Sequence, residues 1–361
     1  MWRTVSSHLV INMCLLTIAC TSNGHGQRSD GADKSDGRSE DGSSSGGSNG
    51  QDGVTSNMGD GAAASAEVDA NSYDEGITAK GWQLVWADDF SSDSVDASRW
   101  NHEVNCWGGG NNEQECYVDG ARNSFVRDGL LNIVAIADNP SGLVGGPTND
   151  PTMVSKPYSS ARLNTNGLAD WKYGRIEVRA MLPFGQGLWP AIWMLPTQLL
   201  YGAWAQSGEI DIMEAINLGA NNNAVYGTLQ YGGAWPNNVN SGTHYDSPVN
   251  AWDAFRVYAI EWEEGEIRWF VDDVHYATQR NWYSKDHPYP APFDQRFYLV
   301  LNVAVGGTWP GPTNAQTTFP QTMLVDYVRI YQCSHDPLTG KGCGTVDPTV
   351  VPLPGIGEPD R

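Results

Sequence analysis

The chain has 361 residues, a formal net charge of −21, and many Trp (15), Tyr (15) and Gly (41) residues. Its length fits one large domain or two ordinary ones, and its aromatic and glycine content favours β structure over a helical bundle. The acidic charge argues against nucleic acid and an anionic membrane face as partners, because phosphate binding requires a basic surface, whereas a neutral polymer would not be repelled.

The first 20 residues have the features of an export signal. Arg3 precedes an apolar run, Leu9–Ala19, that is too short to span a bilayer. Residues 16–20, Leu-Thr-Ile-Ala-Cys, resemble the lipobox of bacterial lipoproteins, in which the Cys is lipidated and becomes the mature N-terminus. We therefore predict an outer-membrane or cell-surface lipoprotein that contacts the membrane only through a lipid on Cys20. Secretion without an anchor is the alternative.

Residues 21–77 consist mainly of Ser, Gly, Asp, Asn and Ala. Such a segment cannot bury enough apolar surface to offset its ordering entropy, so it is predicted to be a disordered tether. A flexible coil of this length has a root-mean-square reach of roughly 40 Å. That reach would hold a folded domain away from a membrane surface.

Residues 78–333 are predicted to form one domain of short strands, with turn signals such as Asp128-Gly129, Glu264-Gly265 and Asp272-Asp273 between them. Many strands without intervening helices indicate an all-β fold, and we predict a two-sheet jelly roll, a β-sandwich of the concanavalin A type. The predicted strands are Gln83–Trp86, Leu130–Ala135, Gly174–Met181, Ala191–Leu195, Tyr226–Tyr231, Phe255–Glu263, Glu266–Val271, Phe297–Val305 and Met323–Gln332.

Two of these strands differ in pattern. Residues 175–180 alternate charged and apolar side chains, which predicts a strand exposed on one face, whereas residues 298–303 are typical of a strand buried on both faces. The tail, residues 334–361, is rich in Pro, Gly, Thr and Asp. We expect a short loop closed by a disulfide, followed by disorder.

The six cysteines divide by position. Cys14 lies in the signal and Cys20 is the predicted lipid site, which leaves four cysteines in the folded part of the chain. Export permits disulfides, and of the three possible pairings the local one is favoured: Cys106 with Cys116, and Cys333 with Cys343. A zinc site is the rival interpretation, but no CxxC or Cys/His spacing supports it.

The segment Glu209-Ile210-Asp211-Ile212-Met213-Glu214 places three carboxylates on what is predicted to be a buried strand. Because strand side chains alternate, Glu209 and Asp211 share a face, and Glu214 falls on the other. A one-residue bulge near Met213 would return Glu214 to the acidic face. Crowded carboxylates raise the pKa of at least one group, and one ionised carboxylate beside one protonated carboxyl is what glycoside hydrolysis requires.

Aromatic and polar segments accompany this strand. Trp189 and Trp193 are four residues apart, so they share a strand face, and indole rings are suitable platforms for sugar rings; burial in the core is the alternative for both. The glycine-rich segment before Trp309 predicts a tight loop that could bring this residue to a cleft. Residues 108–114, Gly-Gly-Gly-Asn-Asn-Glu-Gln, suit hydrogen bonding to sugar hydroxyls, although an ordinary surface loop explains them almost as well.

Taken together, these residues resemble glycoside hydrolase family 16, and most closely its laminarinase-like endo-β-1,3-glucanases. The resemblance covers residues 81–332, and the extra residue Met213 is typical of the β-1,3-glucanase branch. The motifs that carry it, in chain order, are Trp86–Phe90, Asn111–Gln114, Tyr158–Arg162, Trp189–Trp193, Glu209–Glu214, Ala304–Gly311 and Asp326–Arg329.

The resemblance implies a retaining glycosidase with a concave cleft and no catalytic cofactor. Glu209 would be the nucleophile, Glu214 the general acid and base, and Asp211 the residue that tunes the nucleophile. The sugar-contacting positions would be Trp189, Trp193, Trp309, Asn112 and Arg162. Gln230 departs from the family pattern, since many laminarinases carry a His there, and this change puts the fine substrate preference in doubt.

The resemblance also implies a structural Ca²⁺ on the convex face, held by Asp89, the carbonyl of Gly129 and Asp326, because hard oxygen ligands suit calcium. Unpaired surface acids are the alternative. We expect a monomer acting on β-1,3-glucan of the laminarin type. The other hypotheses are a family member that cleaves mixed-linkage glucan, agar or carrageenan, a transglycosylase, and a carbohydrate-binding protein without catalysis.

Overall fold

The computed structural model describes residues 76–220 and 222–358. The predicted export signal, the lipid site Cys20 and nearly all of the predicted tether lie outside these residues. Residues 76–79 form a single helical turn, and strands begin at Trp82. Within the two described ranges, no helix is long and apolar enough to cross a membrane.

Nineteen strands and one 3₁₀ turn, η1 (Gly146–Thr148), are assigned within the described ranges. The strands in chain order are β1 (Trp82–Asp88), β2 (Asn101–His102), β3 (Glu115–Tyr117), β4 (Ser124–Arg127), β5 (Leu130–Ala135), β6 (Ser141–Gly145), β7 (Asp150–Ser155), β8 (Tyr158–Ser160), β9 (Arg162–Asn164), β10 (Gly174–Met181), β11 (Leu188–Pro196), β12 (Glu209–Ala215), β13 (Ala224–Gly232), β14 (Asn238–Asp246), β15 (Arg256–Glu263), β16 (Glu266–Val271), β17 (Val274–Gln279), β18 (Phe297–Val305) and β19 (Gln321–Cys333).

Two antiparallel sheets form the sandwich. The eight-stranded sheet has the order β17-β16-β15-β10-β19-β5-β4, with β1 paired to β19. The seven-stranded sheet has the order β14-β13-β12-β11-β18-β9-β2 and therefore contains the acidic strand β12 near its middle. This all-β architecture confirms the predicted jelly-roll fold.

The core lies between the two sheets and is formed by apolar side chains at every second position of the strands. Ile176 and Val178 of β10 and Trp262 of β15 belong to it, together with Ile192 of β11 and Ile210 of β12. All five are fully buried. Because these positions use one face of each strand, the opposite face of the seven-stranded sheet is free to carry polar side chains.

The predicted turns connect hairpins at the expected places. Asp128 and Gly129 separate β4 from β5, and Asp272 and Asp273 separate β16 from β17. All four have positive φ, a backbone conformation that Gly, Asp and Asn adopt more easily than other residues. Strand β18 is buried almost throughout, as predicted.

The prediction that residues 175–180 are exposed on one face is wrong. Arg175 and Glu177 are buried on the outer side of the eight-stranded sheet, where Arg175 pairs with Glu177, with Glu261 and with Asp273. A charged side chain can be buried when its partners neutralise it. The alternating pattern was therefore real, but its polar positions form an internal ion cluster and do not face solvent.

The expected disorder after the disulfide loop is also wrong for residues 344–358, which pack against the domain. Thr345 donates from its backbone N to Glu261 at 2.6 Å, and the backbone N of Leu353 donates to the carbonyl of Thr278 at 2.8 Å. Further along, the backbone N of Ile356 donates to the Tyr231 hydroxyl at 2.8 Å. These bonds order a segment whose composition alone suggested flexibility.

The structure contains the local disulfide pairing that the sequence favours. Cys106 is bonded to Cys116, and Cys333 to Cys343. The first bond closes the loop that carries residues 108–114, and the second fixes the start of the tail at the end of β19.

Candidate active site

Strand β12 contains the bulge that the sequence predicts. Asp211 pairs with Thr228 of β13 and Glu214 pairs with Tyr226, so that two residues, Ile212 and Met213, lie opposite Gly227 alone. The register against β11 also shifts at this point. A bulge of this kind resets strand parity, and Glu214 returns to the same face as the other two acids.

Burial of the neighbouring residues follows from the bulge. Ile210, Ile212 and Met213 all belong to the core between the sheets, although Ile212 and Met213 are consecutive. A regular strand would send one of them to the opposite face. The side chains of Glu209, Asp211 and Glu214 are nearly inaccessible to solvent as well, at 3%, 2% and 7% exposure.

Two indole groups hold the two glutamates. Trp204 Nε1 donates to Glu209 Oε2 at 2.8 Å, and Trp189 Nε1 donates to Glu214 Oε1 at 3.0 Å. Trp189 was predicted to contact sugar, whereas Trp204 was missed. The only sequence signal for Trp204 is its position five residues before Glu209, on the loop that leads into β12.

Burial raises the pKa of both glutamates, that of Glu209 to about 8 and that of Glu214 to about 7. The hydrogen bonds from Trp204 and Trp189 oppose this rise. The charge of Arg162 and the contact with Asp211 also lower the pKa of Glu209, whereas the charge of Glu113 raises that of Glu214. The charge of Glu214 in turn raises the pKa of Glu209, so the two glutamates titrate as a coupled pair.

Asp211 lies between the two glutamates along the strand. Burial, followed by the charges of Glu214 and Glu209, raises its pKa well above the usual range. Its interaction with Glu209 raises the pKa of Asp211 and lowers that of Glu209. Asp211 Oδ2 is buried without a hydrogen-bond partner among the described residues, and the raised pKa favours the protonated form of Asp211.

A row of polar residues crosses the sheet beside Glu214. Ala191 of β11 pairs with Glu214 on one side and with Asn302 of β18 on the other, and Asn302 in turn pairs with Arg162 of β9. Trp193 joins this row, since its Nε1 donates to Asn302 Oδ1 at 2.7 Å and the Arg162 guanidinium lies 4.5 Å from its ring centre. Trp193 and Arg162 therefore lie on the acidic face, and both are largely buried.

An aromatic cluster adjoins Glu214 on the other side. The rings of Trp309 and Trp189 are in edge contact with centres 5.2 Å apart, and Trp309 makes a similar contact with Tyr226 at 5.1 Å. Trp309 is half-buried, so one part of its ring remains accessible. The glycine-rich loop thus brings Trp309 to the acidic site, and Tyr226 is an additional residue that sequence reasoning missed.

Gln230 lies directly across from Glu209 in the β12–β13 pair. Its side chain is 2% exposed, and its Oε1 atom is buried without a hydrogen-bond partner among the described residues. A buried polar atom without a partner is rare in native proteins. Gln230 Oε1 is therefore a hydrogen-bond acceptor beside Glu209 that no described protein group satisfies.

The loop at residues 108–114 contributes Glu113 to the polar row, while Asn112 stays a predicted sugar contact. Asn112 is exposed, whereas Glu113 is buried and accepts a hydrogen bond from the Tyr117 hydroxyl at 3.3 Å. Asn302 Nδ2 donates to the same hydroxyl at 3.1 Å, which links Glu113 to the polar row. Burial and the charge of Glu113 raise the pKa of Glu115 well above its usual range.

The predicted calcium ligands lie near one another but are already paired. Strand register brings Asp89 and the Gly129 turn beside Asp326 on β19. Asp89 forms an ion pair with Arg329, and Asp326 with Arg179. The described ranges contain no group of three or more acidic, His or Cys side chains arranged for a metal ion. A Ca²⁺ would have to open both ion pairs, so this site stays a prediction.

The fold and the site together define an O-glycosyl hydrolase: a β-sandwich whose strand face holds a pair of glutamates of raised pKa beside indole rings. Comparison with known proteins identifies the family. The family model for glycosyl hydrolases family 16 matches residues 136–329. The chain belongs to this family.

Relatives and solved structures agree with the assignment. The chain is 42% identical over 267 residues to glucan endo-1,3-beta-glucosidase A1 of Niallia circulans, and the match covers 70% of the chain but 38% of that relative. It is 40% identical to the beta-glucanase of Rhodothermus marinus, covering 70% of the chain and 85% of the relative. The X-ray structure of the Rhodothermus marinus laminarinase aligns with a TM-score of 0.60 at 39% identity, over 69% of this chain and 97% of that one.

Proposed function

We propose that the chain hydrolyses β-1,3-glucan of the laminarin type by a retaining double displacement. The observation that carries the proposal is the pair Glu209 and Glu214, brought to one face by a bulge and each held by an indole N–H. The glucanase relatives support the substrate class. Retaining glycosidases place two carboxyl groups about 5–5.5 Å apart on either side of the scissile bond.

In the first step Glu209 attacks the anomeric carbon and forms a glycosyl ester, while Glu214 donates its proton to the departing glycosidic oxygen. In the second step Glu214 takes a proton from water, and the resulting nucleophile displaces Glu209 with the original configuration restored. Asp211 acts as a hydrogen-bond donor to Glu209 in this scheme. Its protonated form leaves the negative charge on the nucleophile.

The substrate would lie across β13, β12, β11, β18 and β9. Gln230 would offer its unpartnered Oε1 to a sugar hydroxyl near Glu209, and Trp309 would offer an apolar ring near Glu214. Arg162 is paired with Glu103, which offsets its charge, and it is packed on Trp193. This offset favours a neutral glycan over a sulfated one.

A galactan is the second candidate, because the keratan-sulfate endo-1,4-beta-galactosidase of Sphingobacterium multivorum is 34% identical to the chain, over 70% of the chain and 55% of that protein. The two candidates are separated by incubating the full chain with laminarin, mixed-linkage glucan, agarose, carrageenan and keratan sulfate. Reducing ends and product sizes should show cleavage of laminarin. Cleavage confined to galactans would overturn the proposed substrate.

The roles of the two glutamates can be tested by azide rescue. Azide that replaces the nucleophile in Glu209→Ala should give an α-glycosyl azide, because the configuration inverts once. Azide that attacks the glycosyl ester in Glu214→Ala should give the β-anomer, because it inverts twice. Proton NMR distinguishes the products, and the reverse outcome would exchange the two roles. Circular dichroism serves as the folding control.

Three further proposals concern localisation, oligomeric state and calcium binding. We propose that the chain is exported and anchored by a lipid on Cys20; Cys20→Ser should move it from the membrane fraction to the soluble fraction. We also propose that the protein acts as a monomer, which sedimentation would test. Calcium at Asp89 and Asp326 should raise the melting temperature on addition of CaCl₂, and an unchanged value would remove the metal from the account.

A further inference from the structure

Trp269 connects the opposite sheet to the acidic strand. It belongs to β16 in the eight-stranded sheet and is fully buried. Its indole crosses the core, and Nε1 donates to the backbone carbonyl of Asp211 at 2.9 Å. Asp211 immediately precedes the bulge. The hydrogen bond is therefore made at the point where the parity of β12 changes.

Gly227 provides the space for this indole. It is the single residue of β13 that lies opposite Ile212 and Met213. A Cβ atom at position 227 would lie 2.6 Å from Tyr276 Oη and 2.7 Å from Trp269 Nε1, and closer still to Trp269 Cδ1. Gly227 does not have a positive φ, so its backbone conformation does not require glycine. Close packing of the indole explains the residue.

A bulge interrupts the strand ladder and bends the strand, so its shape depends on groups outside the ladder. The Asp211 carbonyl is one such group, and it is buried where water cannot replace a lost donor. We propose that Trp269 and Gly227 are positioning residues that fix the shape of the bulge. Through it they set the placement of Glu214 relative to Glu209.

This inference rests on the proposed roles of the two glutamates and adds a specific consequence. Glu209 precedes the bulge and is held independently by Trp204. Glu214 follows the bulge, so a change in the bulge displaces the general acid more than the nucleophile. A displaced acid impairs substrates whose leaving group needs a proton, and it spares those whose leaving group departs without one.

The experiment compares Trp269→Phe with a matched control, Trp262→Phe. Trp262 is also a fully buried Trp of the eight-stranded sheet, and its Nε1 donates to a backbone carbonyl, that of Phe293, at 3.1 Å. Both substitutions keep an aromatic ring and remove one N–H donor. We measure kcat/KM for laminaritetraose and for 2,4-dinitrophenyl β-laminaribioside, whose leaving group needs no protonation, together with the melting temperature.

Trp269→Phe should lower kcat/KM for laminaritetraose by roughly 10- to 100-fold, the size of effect that a misplacement of about 1 Å produces. Its kcat/KM for the aryl glycoside should change much less. Trp262→Phe should lower the melting temperature by a similar amount. It should leave unchanged the ratio of kcat/KM for laminaritetraose to kcat/KM for the aryl glycoside. If this ratio is the same in both variants, the proposal is overturned.

Gly227→Ala is the second variant. It keeps the indole N–H but displaces the ring from its acceptor, so it should change the substrate ratio in the same direction as Trp269→Phe. If Trp269→Phe does not fold, Gly227→Ala tests the proposal in its place. An unchanged ratio of kcat/KM for laminaritetraose to kcat/KM for the aryl glycoside would again overturn the proposal. Failure of the wild-type chain on laminaritetraose would instead contradict the proposed substrate. The ratio would then be measured with the glycan that the wild-type chain cleaves.

Discussion

Replacing Trp204 by Phe should move the acidic limb of the pH–rate profile to higher pH. Trp204 Nε1 donates to Glu209 Oε2 at 2.8 Å, and both side chains are buried. Phe keeps a ring in the same place but removes the donor. Because this hydrogen bond lowers the pKa of Glu209, its loss should raise that pKa further.

The magnitude follows from the kind of bond that is lost. A hydrogen bond to a charged group contributes about 1.5–3 kcal/mol, and one pKa unit corresponds to about 1.4 kcal/mol, so the shift should be about 1–2 units. Glu209 must be ionised to attack. As pH falls below its pKa, kcat/KM falls, and a raised pKa makes this fall begin at higher pH.

Trp189→Phe is the matched variant for the other glutamate. Trp189 Nε1 donates to Glu214 Oε1 at 3.0 Å, and this bond lowers the pKa of Glu214. Glu214 must be protonated in the first step, so raising its pKa extends activity to higher pH. Trp204→Phe should therefore narrow the bell-shaped profile from the acidic side, whereas Trp189→Phe should widen it on the basic side.

The assay is the initial rate of laminaritetraose cleavage at substrate concentrations well below KM, measured across the pH range in which the melting temperature of each variant is constant. Under these conditions the limbs report the free enzyme. An unmoved acidic limb in Trp204→Phe would refute the reasoning. A shift of the same limb in both variants would show that the proton belongs to the pair and not to Glu214.

Three other changes have distinct expected outcomes. The disulfides Cys106–Cys116 and Cys333–Cys343 have the same sequence separation of 10. Replacing either pair by Ser should therefore lower the free energy of unfolding by about 2–4 kcal/mol. Only loss of the Cys106–Cys116 bond should also lower kcat. Arg175→Met removes the cation that neutralises the buried carboxylates of Glu177 and Glu261. It should lower the free energy of unfolding by about 3–5 kcal/mol in urea titrations, with the pH–rate limbs unmoved. Gln230→Leu removes an unpartnered buried carbonyl oxygen, so the melting temperature should not fall, while kcat/KM for laminaritetraose should fall roughly 10-fold.

Strands were predictable from sequence where burial dominates. Gly174–Met181, Glu266–Val271 and Phe297–Val305 have the predicted bounds, because apolar runs end there at turn residues. Strand β14 was missed, because its sequence, Asn-Val-Asn-Ser-Gly-Thr-His-Tyr-Asp, is polar. It lies at the edge of the seven-stranded sheet and pairs on one side only, so its polar residues reach solvent.

The acidic site was predictable in part, for a physical reason. The parity of Glu209, Asp211 and Glu214 is local, so the need for a bulge can be derived from six residues. Glu113 and Trp269 are distant in sequence, and only the fold brings them to the site. The ion cluster of Arg175 was misinterpreted for the same reason, since its partners lie on other strands and loops.

The bulge links stability and catalysis within one strand. A regular strand could not place Ile212 and Met213 together in the core while presenting Glu209 and Glu214 on the opposite face. The extra residue satisfies both demands, but it leaves a kink in a buried strand that packing must stabilise. For this reason we expect the precision of the glutamate pair to depend on residues of the opposite sheet, which never approach the substrate.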